Sequence, residues 1–155
     1  MRDGGLTMRE IIFRAKVKDK DELIGKGFPI DENGNQTSKW VYGVPTPILG
    51  YPDLFTAWNV FNGEYEELTV ITETIGQYTG LTDKNGTKIF EGDILLAYLD
   101  SVCPKDETRL EVVWYQNGWY GKSGSYYDDF DNGFEKKFEV IGNIHDNPEL
   151  LTDSN

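Results

Sequence analysis

Residues 81–94 read Leu-Thr-Asp-Lys-Asn-Gly-Thr-Lys-Ile-Phe-Glu-Gly-Asp-Ile. Two short apolar segments flank the sequence Asp-Lys-Asn-Gly, a pattern typical of a tight β-hairpin in which Gly86 takes a positive φ angle. A second reversal follows, and we expect Asp93 to accept backbone N–H groups there. Residues 94–99 are apolar enough for a strand that is buried on both faces. This stretch therefore predicts a hairpin that leads into a buried strand.

Short apolar segments separated by turns extend in both directions from this hairpin. In residues 11–17 the apolar side chains alternate, which predicts a strand with one apolar face and with Arg14 and Lys16 on the other. The pair Asn117-Gly118 predicts another hairpin, and residues 134–144 a later strand. Several short strands with little helical periodicity favour a mainly β fold with a small barrel or a strongly bent sheet.

Other segments have weaker patterns. Residues 18–24 are charged and predict a loop, and three prolines in residues 43–52 argue against regular structure there. Residues 53–68 fit either a short helix that stops at Gly63 or a hairpin that turns at Asn62-Gly63, and we favour the hairpin. Residues 126–133 are interpreted as an acidic aromatic loop, and residues 147–151 as one terminal helical turn.

The predicted organisation has three parts. Residues 1–7 precede a second methionine, Met8, and are expected to be a flexible leader or a cloning remnant. Residues 8–69 are expected to form a strand and loop region that packs on a small barrel made by residues 70–155. A strand at residues 11–17 that lies at a sheet edge can pair with its copy across a two-fold axis, so we expect a homo-oligomer.

Charge and cysteine content limit the function classes. The chain of 155 residues has 27 acidic and 15 basic side chains, a net charge of −12. Residues 1–40 carry 8 basic and 7 acidic side chains, whereas residues 41–155 carry 7 and 20, a net of −13. Such a negative surface repels phosphates, so we expect no direct binding to duplex nucleic acid. One cysteine and the lack of a long apolar run predict a cytoplasmic protein without membrane contact.

Catalysis and metal binding find little support. Cys103 and His145 are single residues of their types, and neither has a local catalytic signature. We expect His145 to hydrogen bond to the terminal turn. A calcium loop in residues 128–133 would place Phe130 where an oxygen ligand is required. We therefore predict no catalytic residue, no metal and no cofactor.

Aromatic side chains in the second half are the remaining candidates. Alternation along strands leaves some of them exposed, where aromatic side chains can anchor a protein partner or stack on bases. The predicted binding surface combines these aromatic side chains with neighbouring carboxylates: Trp114, Trp119, Tyr120, Tyr126, Tyr127, Asp128, Asp129 and Asp131.

Three blocks of the sequence stand out: MREIIFRA at 8–15, TIGQYTGLTDKNGTKIFEGDI at 74–94 and VIGNIHDNPELL at 140–151. Together they resemble the YopX family, small proteins encoded by phages and prophages of Gram-positive bacteria. Lys16 and His145 stand where the family often has Trp and Tyr, so neither residue is given a family-wide role. The resemblance implies a β-rich fold with an SH3-like barrel in the second half, and it supplies no catalytic residue.

Three hypotheses for function follow. The leading one is a non-enzymatic accessory protein of a phage or prophage, which binds a protein or assembles with itself in the bacterial host cytoplasm. The second is an acidic mimic of nucleic acid that occupies a basic groove of a host DNA-binding or defence protein. The third is capture of a small nucleotide ligand by exposed aromatic side chains.

Overall fold

The computed structural model describes residues 11–28, 39–59, 62–98, 107–130 and 137–152. The chain divides into two compact units, one spanning residues 12–77 and the other beginning at Tyr78. Both units consist mainly of antiparallel strands, so the predicted mainly β fold is confirmed. The predicted boundary between residues 69 and 70 stays a prediction, and residues 1–7 and Cys103 lie outside the described residues.

The N-terminal unit is one curled antiparallel sheet. Its strands follow the order β4-β3-β2-β1, and the start of a fifth strand pairs with β1. A bridge between Val17 and Val70 brings the chain after β4 back to the end of β1. The elements are β1 (Phe13–Lys16), α1 (Lys20–Gly25), β2 (Trp40–Pro45), β3 (Leu54–Asn59), β4 (Glu64–Thr69), a 3₁₀ turn (Thr72–Thr74) and β5 (Gly76–Thr82).

The core of this unit lies on the concave side of the sheet. The side chains of Phe55 and Leu68 are fully buried there, and Leu23 of α1 packs against them. Thr74 ties the 3₁₀ turn to β1, since its Oγ1 accepts a hydrogen bond from Lys16 N at 2.8 Å. The hairpin favoured for residues 53–68 is confirmed, and its Gly63 has a φ of 71°.

The prediction that residues 11–17 form a sheet edge is wrong. β1 pairs with β2 on one side and with β5 on the other, so backbone groups on both sides of the strand are used inside the unit. Arg14, on the face opposite the apolar one as predicted, is 8% exposed because its guanidinium lies over the Trp40 ring at 4.6 Å. Pairing of β1 with a second copy is therefore excluded, and a homo-oligomer stays a prediction.

The predicted loop at residues 18–24 contains helix α1. Asp19 caps the helix, and its carboxylate accepts a hydrogen bond from Asp21 N at 2.9 Å. Glu22 Oε1 accepts from the backbone N–H of Thr69, also at 2.9 Å, and so attaches the helix to the end of β4. The spacing Asp-x-x-Glu was the available signal for a helix start, and six residues are too few to show periodicity.

Residues 43–52 also hold more regular structure than predicted, because β2 continues through Pro45. The pairing of β1 with β2 ends at Gly43, whereas the pairing of β3 with β2 continues to Pro45. A proline lacks the N–H of a ladder, and it is accommodated here because Pro45 lies where β2 has a single neighbour among the described residues.

The C-terminal unit contains a five-stranded antiparallel sheet with the order β10-β9-β8-β7-β11. The remainder of β5 pairs with β6, and both segments precede the five strands of this sheet in the chain. The elements are β6 (Lys88–Phe90), β7 (Asp93–Tyr98), β8 (Glu107–Tyr115), β9 (Gly118–Ser123), β10 (Tyr126–Asp129), β11 (Phe138–Asn143) and α2 (Glu149–Thr152). In the described residues β10 and β11 are the outer strands, so the SH3-like barrel stays a prediction. The predicted terminal helical turn is confirmed by α2.

The stretch of residues 81–94 folds as predicted. Gly86 has a φ of 84°, and Asp93 Oδ2 accepts the N–H of Phe90 at 2.7 Å. Asp83 is 3% exposed and accepts three backbone N–H groups, from Asn85, Thr87 and Val140, at 2.8 to 2.9 Å. Burial raises the pKa of Asp83, but these donors together with Lys84 bring it below the ordinary value.

The end of β11 is organised by Asn143. Its Oδ1 accepts the backbone N–H groups of His145 at 3.0 Å and Asp146 at 2.9 Å. His145 therefore takes part in the terminal turn through its backbone N–H. The expected hydrogen bond of its side chain stays a prediction. No helix in the described part of the chain has the length and hydrophobicity that crossing a lipid bilayer requires.

Candidate binding surface

Strands β8, β9 and β10 are joined by two tight turns. Gln116, with a φ of 56°, lies in the first turn, and Gly124, with a φ of 59°, lies in the second. The predicted acidic loop at residues 126–133 is wrong for residues 126–129, which form β10 and pair with β9 from Tyr126 opposite Ser123 to Asp129 opposite Tyr120. The register of these three strands determines which side chains share a face.

One face of the three strands continues into the core of the unit. Trp114 and Trp119 lie opposite each other, with their ring centroids 4.9 Å apart in an edge-on arrangement. Trp119 packs against the buried cluster that includes Leu110 and Phe138, whereas Trp114 is 55% exposed. Most of the aromatic surface at Trp119 therefore serves folding.

Tyr126 and Asp128 belong to this same face at the outer strand. Tyr126 is 52% exposed. The negative charge of Asp128 is the main cause that raises the pKa of the Tyr126 phenol, with smaller contributions from burial and from Asp129.

The opposite face carries three tyrosines in mutual contact, which we call the tyrosine face: Tyr115, Tyr120 and Tyr127. The rings of Tyr115 and Tyr127 stack at 4.0 Å with 16° between their planes. Tyr120 meets Tyr115 at 5.6 Å and Tyr127 at 6.2 Å, both edge-on. Asp129 follows Tyr127 by two residues and lies opposite Tyr120, so its carboxylate borders the tyrosine face.

The predicted binding surface is therefore two surfaces. Tyr120, Tyr127 and Asp129 come together on the tyrosine face, while the other described members point to the core side: Trp114, Trp119, Tyr126 and Asp128. Asp131 lies outside the described residues. Tyr115, which completes the tyrosine face, was missed because its membership depends on the pairing of β8 with β9, and local alternation does not reveal that register.

A shallow groove of about 170 Å³ lies farther along the side of the sheet that carries the tyrosine face. It is lined by Arg109, Glu111, Lys122, Ser123, Gly124 and Leu151. Arg109 Nη1 donates to the carbonyl of Leu150 at 3.1 Å and so attaches α2 to β8. Burial raises the pKa of Glu111 against the opposing charge of Lys122. The groove thus presents mixed charges, which suit a polar contact better than an anion site.

In the ranges that the structure describes, no group of three or more His, Cys, Asp or Glu side chains converges as a metal site requires.

The N-terminal unit has a second exposed aromatic surface, which sequence reasoning missed. We call it the N-terminal aromatic face, formed by Tyr42, Val44, Trp58 and Tyr65, which are 47%, 43%, 45% and 69% exposed. Trp58 and Tyr65 lie opposite each other on β3 and β4, and their rings meet edge-on at 4.8 Å. The available signal was alternation in β2 and β3, but it became informative only once their pairing was known.

One comparison with known proteins identifies a family, and none shows an activity. A family model described as YopX protein matches residues 12–152. The crystal structure of protein EF1440 from Enterococcus faecalis is similar, at 23% sequence identity and a TM-score of 0.47, and the match covers 93% of this chain and 99% of that chain. The comparison with curated proteins gave no match.

Proposed function

This chain belongs to the YopX family, and we propose that it is a phage- or prophage-encoded accessory protein that acts by binding another protein in the host cytoplasm, without enzymatic activity. The tyrosine face is the observation that carries this proposal. Tyrosine is enriched at protein interfaces because its ring buries a large area at low entropic cost while its hydroxyl finds a polar partner. Here Tyr115 and Tyr127 are already stacked, so binding orders little that was mobile.

The buried acids of the C-terminal unit support a non-enzymatic role. Asp83 and Asp93 are 3% and 1% exposed, and both accept backbone N–H groups in turns. A general acid or base needs a pKa near the working pH, whereas the pKa of Asp83 is lowered. We therefore assign both carboxylates to the architecture of the fold.

The test is affinity capture from host lysate with the wild-type chain and two variants. The double variant Tyr115→Ala and Tyr127→Ala removes the ring stack, whereas Tyr51→Ala removes a tyrosine that is 59% exposed and lies outside both aromatic faces. We expect the wild-type chain and Tyr51→Ala to retain the same protein, and the double variant to lose it. Circular dichroism and thermal melting establish that each variant is folded.

Equal retention of that protein by the folded double variant would contradict the proposed role of the tyrosine face. Loss of the partner by Tyr51→Ala alone, with retention by the double variant, would also contradict it. The contact would then lie at the loop before β3.

Self-assembly is a second candidate, and the N-terminal aromatic face favours it. Exposed apolar patches of this kind mark interaction sites. Lys16 lies at the β1 side of the face and Glu67 at the β4 side. A two-fold axis through the face would bring these opposite charges together. Light scattering should then give a mass above 17.7 kDa that Trp58→Ala reduces to the monomer value. A 17.7 kDa particle for the wild-type chain would reject this candidate.

The other two hypotheses stay predictions. The described carboxylates that stand on outer strands are distributed over both units: Glu64, Glu66 and Glu67 on β4, Asp128 and Asp129 on β10, and Glu139 on β11. A nucleic-acid mimic needs its carboxylates in one continuous array. Mapping the binding site of a basic partner on the surface would test whether such an array exists. Nucleotide capture is tested by thermal shift with a nucleotide panel at millimolar concentration.

A further inference from the structure

Strand β10 is the outer strand of its sheet within the described residues. It follows β9 through a two-residue turn, so the closing pair is Ser123 and Tyr126. In such a hairpin the closing pair and every second pair beyond it exchange backbone hydrogen bonds. The N–H and C=O groups of Tyr127 and Asp129 therefore point away from β9, where another strand can use them.

The side chains along this edge alternate in a simple way. Tyr126 and Asp128 face one side of the sheet, and Tyr127 and Asp129 face the other. The side that carries Tyr127 and Asp129 therefore offers one aromatic ring and one carboxylate to whatever lies beside β10. Within the described ranges, no lysine or arginine forms an ion pair with Asp129.

A second copy of the same strand is a poor occupant of this edge. Two β10 strands side by side would bring Asp128 and Asp129 of one copy next to those of the other, and like charges across paired strands are unfavourable. A strand with lysine or arginine at alternate positions has the opposite property. Its cations lie on the side of Asp129 and reach that carboxylate, and their aliphatic stems lie over the tyrosine rings.

Given the protein-binding function proposed above, on which this inference rests, we propose that the partner contributes a basic extended segment, which adds to the sheet as a strand beside β10. The backbone of the segment pairs with Tyr127 and Asp129. Its cationic side chains contact Asp129 and the tyrosine face, and the residues between them lie beside Tyr126 on the other side of the sheet. The charge pattern gives specificity, and the backbone hydrogen bonds give affinity.

The probe is a fluorescently labelled synthetic peptide of alternating lysine and threonine. A control peptide of the same sequence carries an N-methyl group on every amide, which preserves its charge and prevents strand pairing. We expect the first peptide to bind with saturable anisotropy and the second to bind at least about tenfold more weakly. Hydrogen exchange should show protection of the amides of Tyr127 and Asp129 by the first peptide alone.

Two charge reversals separate this site from the overall negative charge of the chain. Asp129→Lys reverses one carboxylate on β10, and Glu64→Lys makes the same change in net charge on the outer strand β4 of the other unit. We expect Asp129→Lys to weaken peptide binding about tenfold and Glu64→Lys to weaken it less than about twofold.

Equal weakening by both reversals would overturn the proposal, because the peptide would then respond only to net charge. Equal binding of the N-methylated peptide would overturn it too, since no strand would be added. If neither peptide binds, the proposal is overturned as well. If the Tyr115 and Tyr127 double variant still loses its lysate partner in that case, the protein-binding function stands without this mode of recognition.

Discussion

The tyrosine face and the N-terminal aromatic face have the same position on their sheets but differ in the charged residues beside them. Both consist of side chains on the non-core side of antiparallel strands. The aromatic neighbour of the N-terminal face, Trp40, lies beneath two cations, Arg14 at 4.6 Å and Lys16 at 5.9 Å. The tyrosine face is bordered by Asp129 on the outer strand.

This difference shows that the partner of an aromatic surface is selected by the charges at its margin. Aromatic rings supply area and little discrimination, whereas charges decide which surfaces approach and in which orientation. A basic partner suits the margin of the tyrosine face. The margin of the N-terminal aromatic face contains both signs, which suits a surface that carries both signs itself.

The largest expected effect is a loss of stability when one glycine in each of the two sheets is replaced by alanine. A Cβ on Gly43 would lie 1.9 Å from the carbonyl oxygen of Thr56, whereas a Cβ on Gly121 would lie 2.9 Å from Leu110 Cδ1. Backbone cannot yield as a side chain can, so we expect Gly43→Ala to lower the free energy of unfolding by about 3 kcal/mol and Gly121→Ala by about 1.5 kcal/mol. Urea denaturation measures both.

Gly25→Ala is the control for these variants, because no heavy atom lies within 4 Å of the added Cβ. Its free energy of unfolding should change by less than about 0.5 kcal/mol. A larger loss for Gly121→Ala than for Gly43→Ala would mean that the C-terminal sheet is the more rigid of the two.

The second prediction compares one long-range polar contact in each unit. We expect Asp83→Ala to cost about 2 kcal/mol at neutral pH, since three backbone donors lose their acceptor. Thr74→Val should cost about 1 kcal/mol, since Lys16 N and Ile71 O each lose one partner. Chemical denaturation at several pH values measures both.

The pH dependence of the two variants should differ in a defined direction. The folded pKa of Asp83 is lower than its ordinary value of 3.8. Its contribution is therefore present above that value and is lost as the pH falls through the folded pKa. The difference between wild type and Asp83→Ala should shrink in acid, while the Thr74→Val difference stays constant. A constant Asp83→Ala difference down to low pH would contradict this assignment.

The third prediction compares ring pairs by double-mutant cycles. The stacked pair of Tyr115 and Tyr127, partly buried, should have a coupling free energy of about 1 kcal/mol. The edge-on pair of Trp58 and Tyr65, which is more exposed, should have a coupling of about 0.5 kcal/mol. Reversal of this order would show that the N-terminal aromatic face is the better organised one.

The smallest expected effect concerns the charge at the margin of β10. Because Asp128 is the main cause of the raised pKa of Tyr126, Asp128→Asn should lower that pKa toward the ordinary value of 10.0. Asp129→Asn should lower it less, and Glu64→Gln should leave it unchanged. An NMR titration of labelled tyrosine ring carbons measures the pKa in each variant.

Local chemistry made part of this fold predictable. The turns at Gly86 and Asp93 need specific backbone angles and acceptors, and few residue types supply them. The hairpins at Asn62-Gly63 and Asn117-Gly118 follow from the same reasoning. The mainly β class required only the spacing of short apolar segments.

The rest depended on partners that are distant in sequence. β1 was mistaken for an edge because β5, which covers it, starts sixty residues later along the chain. β10 was mistaken for a loop because tyrosine and aspartate have opposing strand preferences, and pairing with β9 decides the outcome. The residues of the predicted surface lie on two different faces because of the register in which β8, β9 and β10 pair. Side-chain alternation within one strand does not determine that register.

The carboxylate of Asp83 has a consequence for synthesis on the ribosome. Its bonds to Asn85 and Thr87 form within a few residues, so the turn can close as soon as that segment emerges. Its third donor, Val140, is 57 residues farther along. The strand β11 that completes the five-stranded sheet follows the other four strands in the chain, so this sheet closes only after β11 has emerged, onto a turn already shaped to receive it.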